Sequence, residues 1–245
     1  MLERAGVFPL VHDAFLQIRH PAYQQLRRRQ RTFFASFIRR GDLVFDVGAN
    51  CGDYTDMFLR LGAEVVAVAP TPVLAATIGR RYPRASVVSA ALGAEEGTAT
   101  LHLADIDQRS SLAERFIAIE ADHFHGRTIE VPVLTLDDLI GRYGKPQFAK
   151  IDVEGYEPEV LQGLTTPLPS VSIEYLCRLP EAVRTAVSLL EQLGSYRFNL
   201  TQAFPDPAPH FLFPSFVPGD AVIERVEELR FHDPLVFGDI YATLG

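Results

Sequence analysis

"VFDVGANCGDYT", Val44 to Thr55, decides how the rest of the chain is read. Val44, Phe45 and Val47 lead into a loop of small residues, Gly48, Ala49, Asn50, Cys51 and Gly52, and the pattern turns helical from Tyr54 to Arg60. A strand that breaks on glycines and re-enters as a helix is the opening of a βα unit. Gly48 and Gly52 carry no side chain, and Asn50 is the non-glycine residue that best tolerates a left-handed backbone. The loop therefore bends tightly and leaves bare backbone at the carboxyl end of a strand. In an open α/β sheet that end is where ligands sit, next to the point at which strand order reverses. Glycine at such a turn also serves packing alone, so the loop by itself leaves a ligand role and a structural role equally open.

Outward from this loop, apolar runs alternate with helical stretches. Strands are expected at 43–49, 65–70, 85–92, 149–155 and 171–176, and helices at 53–61, 72–81, 157–164 and 180–193. Nearly continuous apolar runs are what a parallel sheet covered on both faces requires. "GTATLHLAD" and "TIEVPVLTLDDLI" read as a hairpin-like excursion between the third and fourth core strands. "SYRFNL" and "GDIYATL" read as a terminal antiparallel pair, which makes the sheet mixed at one side. Between them, "FPDPAPHFLFPSFVPGD" holds five prolines and four phenylalanines in 17 residues, too many prolines for a central strand. It is expected to be an ordered loop or lid whose phenylalanines bury against the sheet or against a second copy of the chain.

Composition narrows the function. The chain has 245 residues, 47% of them hydrophobic and 22% charged, which suits one large core. A formal charge of -8 and a pI near 5.4 argue against a binder of nucleic-acid backbones. Two cysteines, Cys51 and Cys177, make no disulfide framework and match no zinc spacing. "AGVFPLV" is broken by Pro9 and followed by His12 and Asp13, so neither a secretory core nor a membrane span is expected, and the chain is read as cytoplasmic. In "LRRRQRTFFASFIRR", Leu26, Phe33, Phe34, Phe37 and Ile38 recur near helical spacing, so this is read as an amphipathic helix with a basic outer side. The expected division is an N-terminal helical extension, 1–40, and a main domain, 41–245.

The loop spacing argues against a dinucleotide. A nicotinamide or flavin fingerprint is Gly-x-Gly-x-x-Gly, whereas this loop reads Asp46-x-Gly48-x-Asn50-x-Gly52, with an anion beside it that disfavours a pyrophosphate and suits a cationic ligand. The block resembles the cofactor loop of S-adenosylmethionine-dependent methyltransferases. Together with "TLDDLI" and "KIDVEGYEPEVLQGL", in that order, it resembles the FkbM-type O-methyltransferases over about residues 40 to 245. The resemblance implies a Rossmann-like, mostly parallel sheet of seven strands with an antiparallel terminal strand and helices on both faces. It also implies that Asp46, Gly48, Asn50 and Gly52 contact the methionine part of S-adenosylmethionine.

One expected group is missing. About 20 residues after the glycine loop the second strand of such a fold carries a carboxylate for the ribose hydroxyls, and in the family that strand usually ends in Glu-Pro. Here Ala69 precedes Pro70, Glu64 lies at the far end of the strand, and Thr71 offers only a hydroxyl.

For the chemistry, strand alternation through "AKIDVEG" places Lys150, Asp152 and Glu154 on one side. Asp152 is the first choice for a base toward an acceptor hydroxyl, with Lys150, Glu154 and Glu174 beside it. A purely structural Lys150–Asp152 ion pair is the competing reading. Asp122, His123 and His125 lack a ligand-spaced partner cluster, so no metal is assigned, although a magnesium ion at Asp152 is conceivable. "QRSSL", Gln108 to Leu112, is a polar loop that could face the acceptor, and Cys51 is read as packing. The reading is an S-adenosylmethionine-dependent O-methyltransferase for a small hydroxylated acceptor, a sugar or secondary metabolite. A catalytically impaired or non-catalytic binding protein of the same fold is the alternative, motivated by Ala69, and a nicotinamide oxidoreductase ranks below both.

Overall fold

The computed structural model describes residues 21–104, 110–203 and 208–245. The N-terminal "AGVFPLV" stretch, Gln108 and residues 204–207 lie outside them. The chain runs α1 (Pro21–Phe34), β1 (Leu43–Val47), α2 (Asp53–Leu61), β2 (Glu64–Val68), α3 (Pro72–Arg81), β3 (Ser86–Val88), β4 (Ala91–Leu92) and β5 (Gly97–Ala104). It continues through α4 (Glu114–Ile119), β6 (Phe124–Leu134), α5 (Leu136–Tyr143), β7 (Phe148–Ile151), α6 (Glu157–Gln162), β8 (Ser170–Leu176) and α7 (Pro180–Leu193). β9 (Tyr196–Leu200), α8 (Gly219–His232) and β10 (Phe237–Leu244) complete it.

Seven strands form the main sheet in the order β3-β2-β1-β7-β8-β10-β9. β3, β2, β1, β7 and β8 pair in parallel, and β10 is antiparallel to both β8 and β9. The last strand of the chain thus inserts between its two predecessors instead of forming the edge. Strand order reverses between β1 and β7, so the loops leaving these two strands open a crevice at their carboxyl ends. The strands are apolar because both faces are covered: Phe45, Val47, Ala149, Ile151, Val171 and Ile173 are all buried in the largest core cluster.

Three sequence expectations are corrected by backbone pairing. "ASVVSAAL" is not one core strand: the chain leaves the main sheet after Val88, and Ala91–Leu92 pair instead with Val133–Leu134. β4, β6 and β5 make a second, three-stranded sheet, whose β5–β6 hairpin matches the expected excursion. "TLDDLI" is not strand but the start of α5: Thr135 accepts from the Asp138 N–H and Asp138 accepts from the Thr135 N–H, a capping box. "AKIDVEG" is strand only to Ile151, and Glu154 (φ 56°) and Gly155 (φ 88°) turn left-handed, so strict alternation ends before Glu154.

α1 is amphipathic as expected, and its apolar side continues into the following turn. Phe33, Phe34 and Phe37 pack with Phe148 and Tyr241, and Phe211 and Phe216 of the proline-rich segment join the same cluster. Its basic side is not uniformly solvated, since Arg27 donates to the Asp53 carbonyl (2.8 Å). Beyond residue 207 the proline-rich segment is ordered by Asn199, whose side-chain amide donates to the carbonyls of Phe213 and Ser215 (3.0 and 3.2 Å). Phe211, Phe213 and Phe216 are half-buried against the core of this chain.

Candidate functional site

The glycine loop is built by hydrogen bonding to the neighbouring strand. The N–H groups of Gly48 and Ala49 both donate to the Val68 carbonyl (3.0 and 2.9 Å), which turns the chain out of the sheet, and Asn50 (φ 49°) and Gly52 (φ 85°) complete the bend into α2. A side chain at Gly48 would strike the Asp152 carbonyl, and one at Gly52 would lie 2.6 Å from the Tyr82 ring. Both glycines are thus required by close packing at positive φ, as the structural reading of the loop allowed. Gly48 and Asn50 line a cavity, whereas Gly52 does not.

That cavity, open to solvent, lies at the carboxyl ends of β1, β2 and β7. Its walls are mostly apolar: Val68, Pro70 and Leu74 on one side, Ala91, Leu92 and Leu101 of the second sheet on the other. Ser110, Ser111, Asp152 and Glu154 close one end, so the serines of the "QRSSL" loop do face this space. Two buried oxygens in its lining, Asn50 Oδ1 and Thr71 Oγ1, have no hydrogen-bond partner. Ala69 is fully buried, 0% exposed, in an apolar cluster with Ala49, Ala75, Ile78 and Tyr82. No carboxylate marks this end of β2.

A polar row crosses the sheet beneath the cavity. Register sets Asp46 opposite Lys150, Lys150 opposite Ser172, Ser172 opposite Tyr241 and Tyr241 opposite Asn199. All five are buried, so each needs a partner. Asp46 accepts from Thr55 Oγ1 (2.6 Å) behind the loop, and burial, offset in part by Thr55 and Lys150, lifts its carboxyl to about 6. Lys150, 1% exposed, donates to Asp152 Oδ2 (2.7 Å) and Asp239 Oδ1 (3.4 Å), and its ammonium lies 4.5 Å from the Tyr54 ring centroid. Burial alone would lower Lys150, but the two carboxylates outweigh it and hold the ammonium well above its ordinary range. Lys150 and Asp152 do form the ion pair weighed from sequence, and Asp152 still faces the cavity.

The turn after β7 is held from several directions. Glu157 Oε1 accepts from the N–H groups of Val153 and Gly155 (3.0 and 3.3 Å), and burial pushes its carboxyl up to about 7. Ser111 Oγ donates to the Glu154 carbonyl (2.8 Å). Arg115 donates to the Gly155 carbonyl (2.6 Å) and forms a two-pronged pair with Glu159. Asp152, Glu154 and Glu174 converge at this turn. Burial and then the neighbouring carboxylates Asp152, Glu154 and Glu157 drive the Glu174 carboxyl well above its ordinary range.

Tyr54, Asp239, Arg115 and Glu157 were not singled out from sequence. Asp239 is 89 positions from Lys150 and reaches it only through the β8–β10 pairing. For Glu157 a signal existed, an acid two residues past a glycine turn and at the start of a helix. His123 lies 3.8 Å from Glu120 and is not one of the residues grouped at Asp152. Burial pushes the Cys177 thiol up to about 12, and neither cysteine is in a disulfide.

Residues 46–194 match the family model described as the methyltransferase FkbM domain. The chain belongs to this family. That match begins at Asp46 and takes in the glycine loop, the cavity walls and the Asp152 turn, whereas Asn199 and Tyr241 of the polar row, and Asp239, lie beyond it. No curated protein sequence matches the chain. Among solved structures it is similar to a precorrin-6y C5,15-methyltransferase from Geobacter metallireducens (14% identity, 91% of this chain and 89% of that one, TM-score 0.44). A TehB-like SAM-dependent methyltransferase from Corynebacterium glutamicum aligns at 9% identity over 96% and 99% of the two chains, TM-score 0.46. An rRNA methylase from Streptococcus thermophilus aligns at 11% identity over 93% and 99%, TM-score 0.44.

Proposed function

We propose that this FkbM-family methyltransferase binds S-adenosylmethionine in the crevice between β1 and β7 and transfers its methyl group to a hydroxyl of a small molecule. One observation carries the reading. The cavity at the strand-order reversal is apolar along its length, yet Asn50 Oδ1 and Thr71 Oγ1 are buried in it without partners. Buried acceptors left unsatisfied by the protein call for donors on a ligand, and the ammonium, ribose hydroxyls and adenine amine of S-adenosylmethionine are such donors. When bound, this cofactor supplies a methyl group already activated by a positively charged sulfur.

The chain's own residues do the rest. Asn50 and the backbone of Gly48 hold the amino-acid part, Thr71 takes the ribose side in place of the missing carboxylate, and the hydrophobic walls exclude water. Asp46 fixes the loop from behind through Thr55 and lends it negative charge. At the open end Asp152, oriented by Lys150, accepts the proton of the acceptor hydroxyl, with Glu154 beside it. The net charge of -8 favours a small acceptor over a polyanion. A second reading, a binding protein without turnover, draws on Ala69, which leaves the strand end without its acid.

Isotope-labelled S-adenosylmethionine incubated with a panel of sugars and other small polyols separates the two, since only the first yields a labelled ether. Asp152→Asn should then lower turnover by about 100-fold or more, the range of a lost general base, while affinity for S-adenosylhomocysteine stays within about threefold. Equal turnover of the variant at saturating acceptor would remove Asp152 from that role.

A further inference from the structure

The turn after β7 leaves the sheet in a strained form. Glu154 (φ 56°) and Gly155 (φ 88°) are left-handed, a conformation that is costly for a glutamate and persists only where surrounding contacts impose it. Asp152 is still tied to the sheet, since its N–H donates to the Val47 carbonyl (3.0 Å), and Glu157 of α6 holds the N–H groups of Val153 and Gly155. The carbonyls of Glu154 and Gly155 are both taken by the segment that joins β5 to β6. Ser111 Oγ donates to the first (2.8 Å), and Arg115 donates to the second from Nε (2.9 Å) and Nη2 (2.6 Å). The packing is as close as the bonding, because a side chain at Gly155 would lie 3.1 Å from the side chains of Phe116 and Leu179.

Arg115 does more than close a surface ion pair. Its Nη1 and Nη2 also reach Glu159 Oε1 and Oε2 (2.9 and 2.6 Å), so one planar guanidinium spans the turn and the start of α6. The side chains of Arg115 and Glu159 are 37% and 25% exposed, so their attraction contributes little to stability. What the rigid fork fixes is geometry. The same segment walls the cavity: Ser110, Ser111 and Leu112 line it together with Asp152, Val153 and Glu154, and Ser111 is tied to His102 of β5 by two backbone hydrogen bonds of 3.1 Å. Arg115 therefore joins the wall supplied by the second sheet to the turn that carries Asp152.

We propose that Arg115 is a positioning residue for methyl transfer, whose grip on the Gly155 carbonyl and Glu159 keeps the turn left-handed and the Asp152 carboxylate turned to the cavity. The inference rests on the methyltransferase reading. Arg115 itself does not line the cavity, so it acts through Asp152 and touches neither cofactor nor acceptor.

Three variants of the full chain test this. Arg115→Met keeps the apolar stem and removes every donor, Arg115→Lys returns one charged donor, and Glu159→Gln leaves the Gly155 contact in place. In the ligand-free protein, amide exchange at Val153 and Gly155 should speed up about tenfold or more in Arg115→Met, and the carboxyl ¹³C resonance of Asp152 should move. Glu159→Gln should change that exchange by less than about threefold. Arg115→Lys should bring the Asp152 resonance back toward its wild-type position, a rescue that a merely stabilising contact would not produce at one carboxylate. With an acceptor identified by labelled S-adenosylmethionine, Arg115→Met should lower kcat about 10-fold while the acceptor KM stays within about threefold. An unmoved Asp152 resonance, unchanged exchange or an unchanged kcat in folded Arg115→Met overturns the proposal, and Arg115→Gln takes its place should that variant fail to fold. S-adenosylhomocysteine titrated into the wild-type chain keeps the two readings apart: no binding there sinks the methyltransferase reading, whereas binding there with an unmoved Asp152 resonance in the variant sinks only the positioning role.

Discussion

Thr71 stands where the missing carboxylate would have had a neighbour, and its hydroxyl is buried without a partner. If that hydroxyl meets a ribose hydroxyl, Thr71→Val should leave the ligand-free protein as stable as before, because no protein hydrogen bond is lost. Affinity for S-adenosylhomocysteine should fall about 3- to 10-fold, the worth of one net hydrogen bond. Unchanged affinity by calorimetry would move the ribose elsewhere. Asp46 makes the opposite trade. Its carboxyl is raised from 3.8 to about 6, so the folded state holds the proton more tightly than the unfolded chain. The stabilisation this gives is complete below about pH 4 and is lost as pH rises through about 6. Asp46→Asn keeps an oxygen for Thr55 and removes the buried charge, so at pH 7.5 it should be more stable than wild type by about 2 to 3 kcal/mol. That advantage should fade toward pH 4 in urea titrations, and an advantage of equal size at both pH values would contradict the assignment. At this scale the sequence was only half legible. Gly48 and Asn50 do line the cavity, but the bareness of Gly48 and Gly52 answers first to the Asp152 carbonyl and the Tyr82 ring, contacts between segments that no spacing in the chain encodes.

Elements were legible where local chemistry sets them. α2, α3 and α7 have the expected bounds: α2 closes on Gly62 in the left-handed conformation, and α3 and α7 open on proline at the first helical position. α5 was missed although its start is written in "TLDD". The apolar residues around Thr135 continue the preceding strand's pattern, and the capping box decides the other way. Thr135→Ala removes the cap and should cost about 1 kcal/mol, read as a shift in urea midpoint, and a change within error would show the helix held by packing alone. The single strand expected at 85–92 failed for a different reason. Its apolar run is continuous, but its two halves hydrogen-bond to different sheets, and partner choice is not a property of the run. Asp152 and Lys150 share a side as alternation required, whereas Glu154 reaches Asp152 and Glu174 through a left-handed turn.

Across the whole molecule, the sheet order β3-β2-β1-β7-β8-β10-β9 brings residues 46, 71, 152, 174 and 239 to one end. The seven-stranded mixed sheet was legible from alternating apolar runs and family resemblance, but the buried row from Asp46 to Asn199 depends on register across five strands and emerges only in three dimensions. Phenylalanines from α1, the turn after it and the proline-rich segment pack around Tyr241. Among the described residues no helix is long and apolar enough to cross a membrane. The central claim is that this crevice is a cofactor site for S-adenosylmethionine, and calorimetric titration of the full chain with S-adenosylhomocysteine, with NAD as the comparison ligand, tests it most directly. The account predicts one S-adenosylhomocysteine per chain with a dissociation constant on the order of 1 to 100 µM and no heat from NAD. A folded protein that binds no S-adenosylhomocysteine at about 1 mM, or that binds NAD instead, would contradict it.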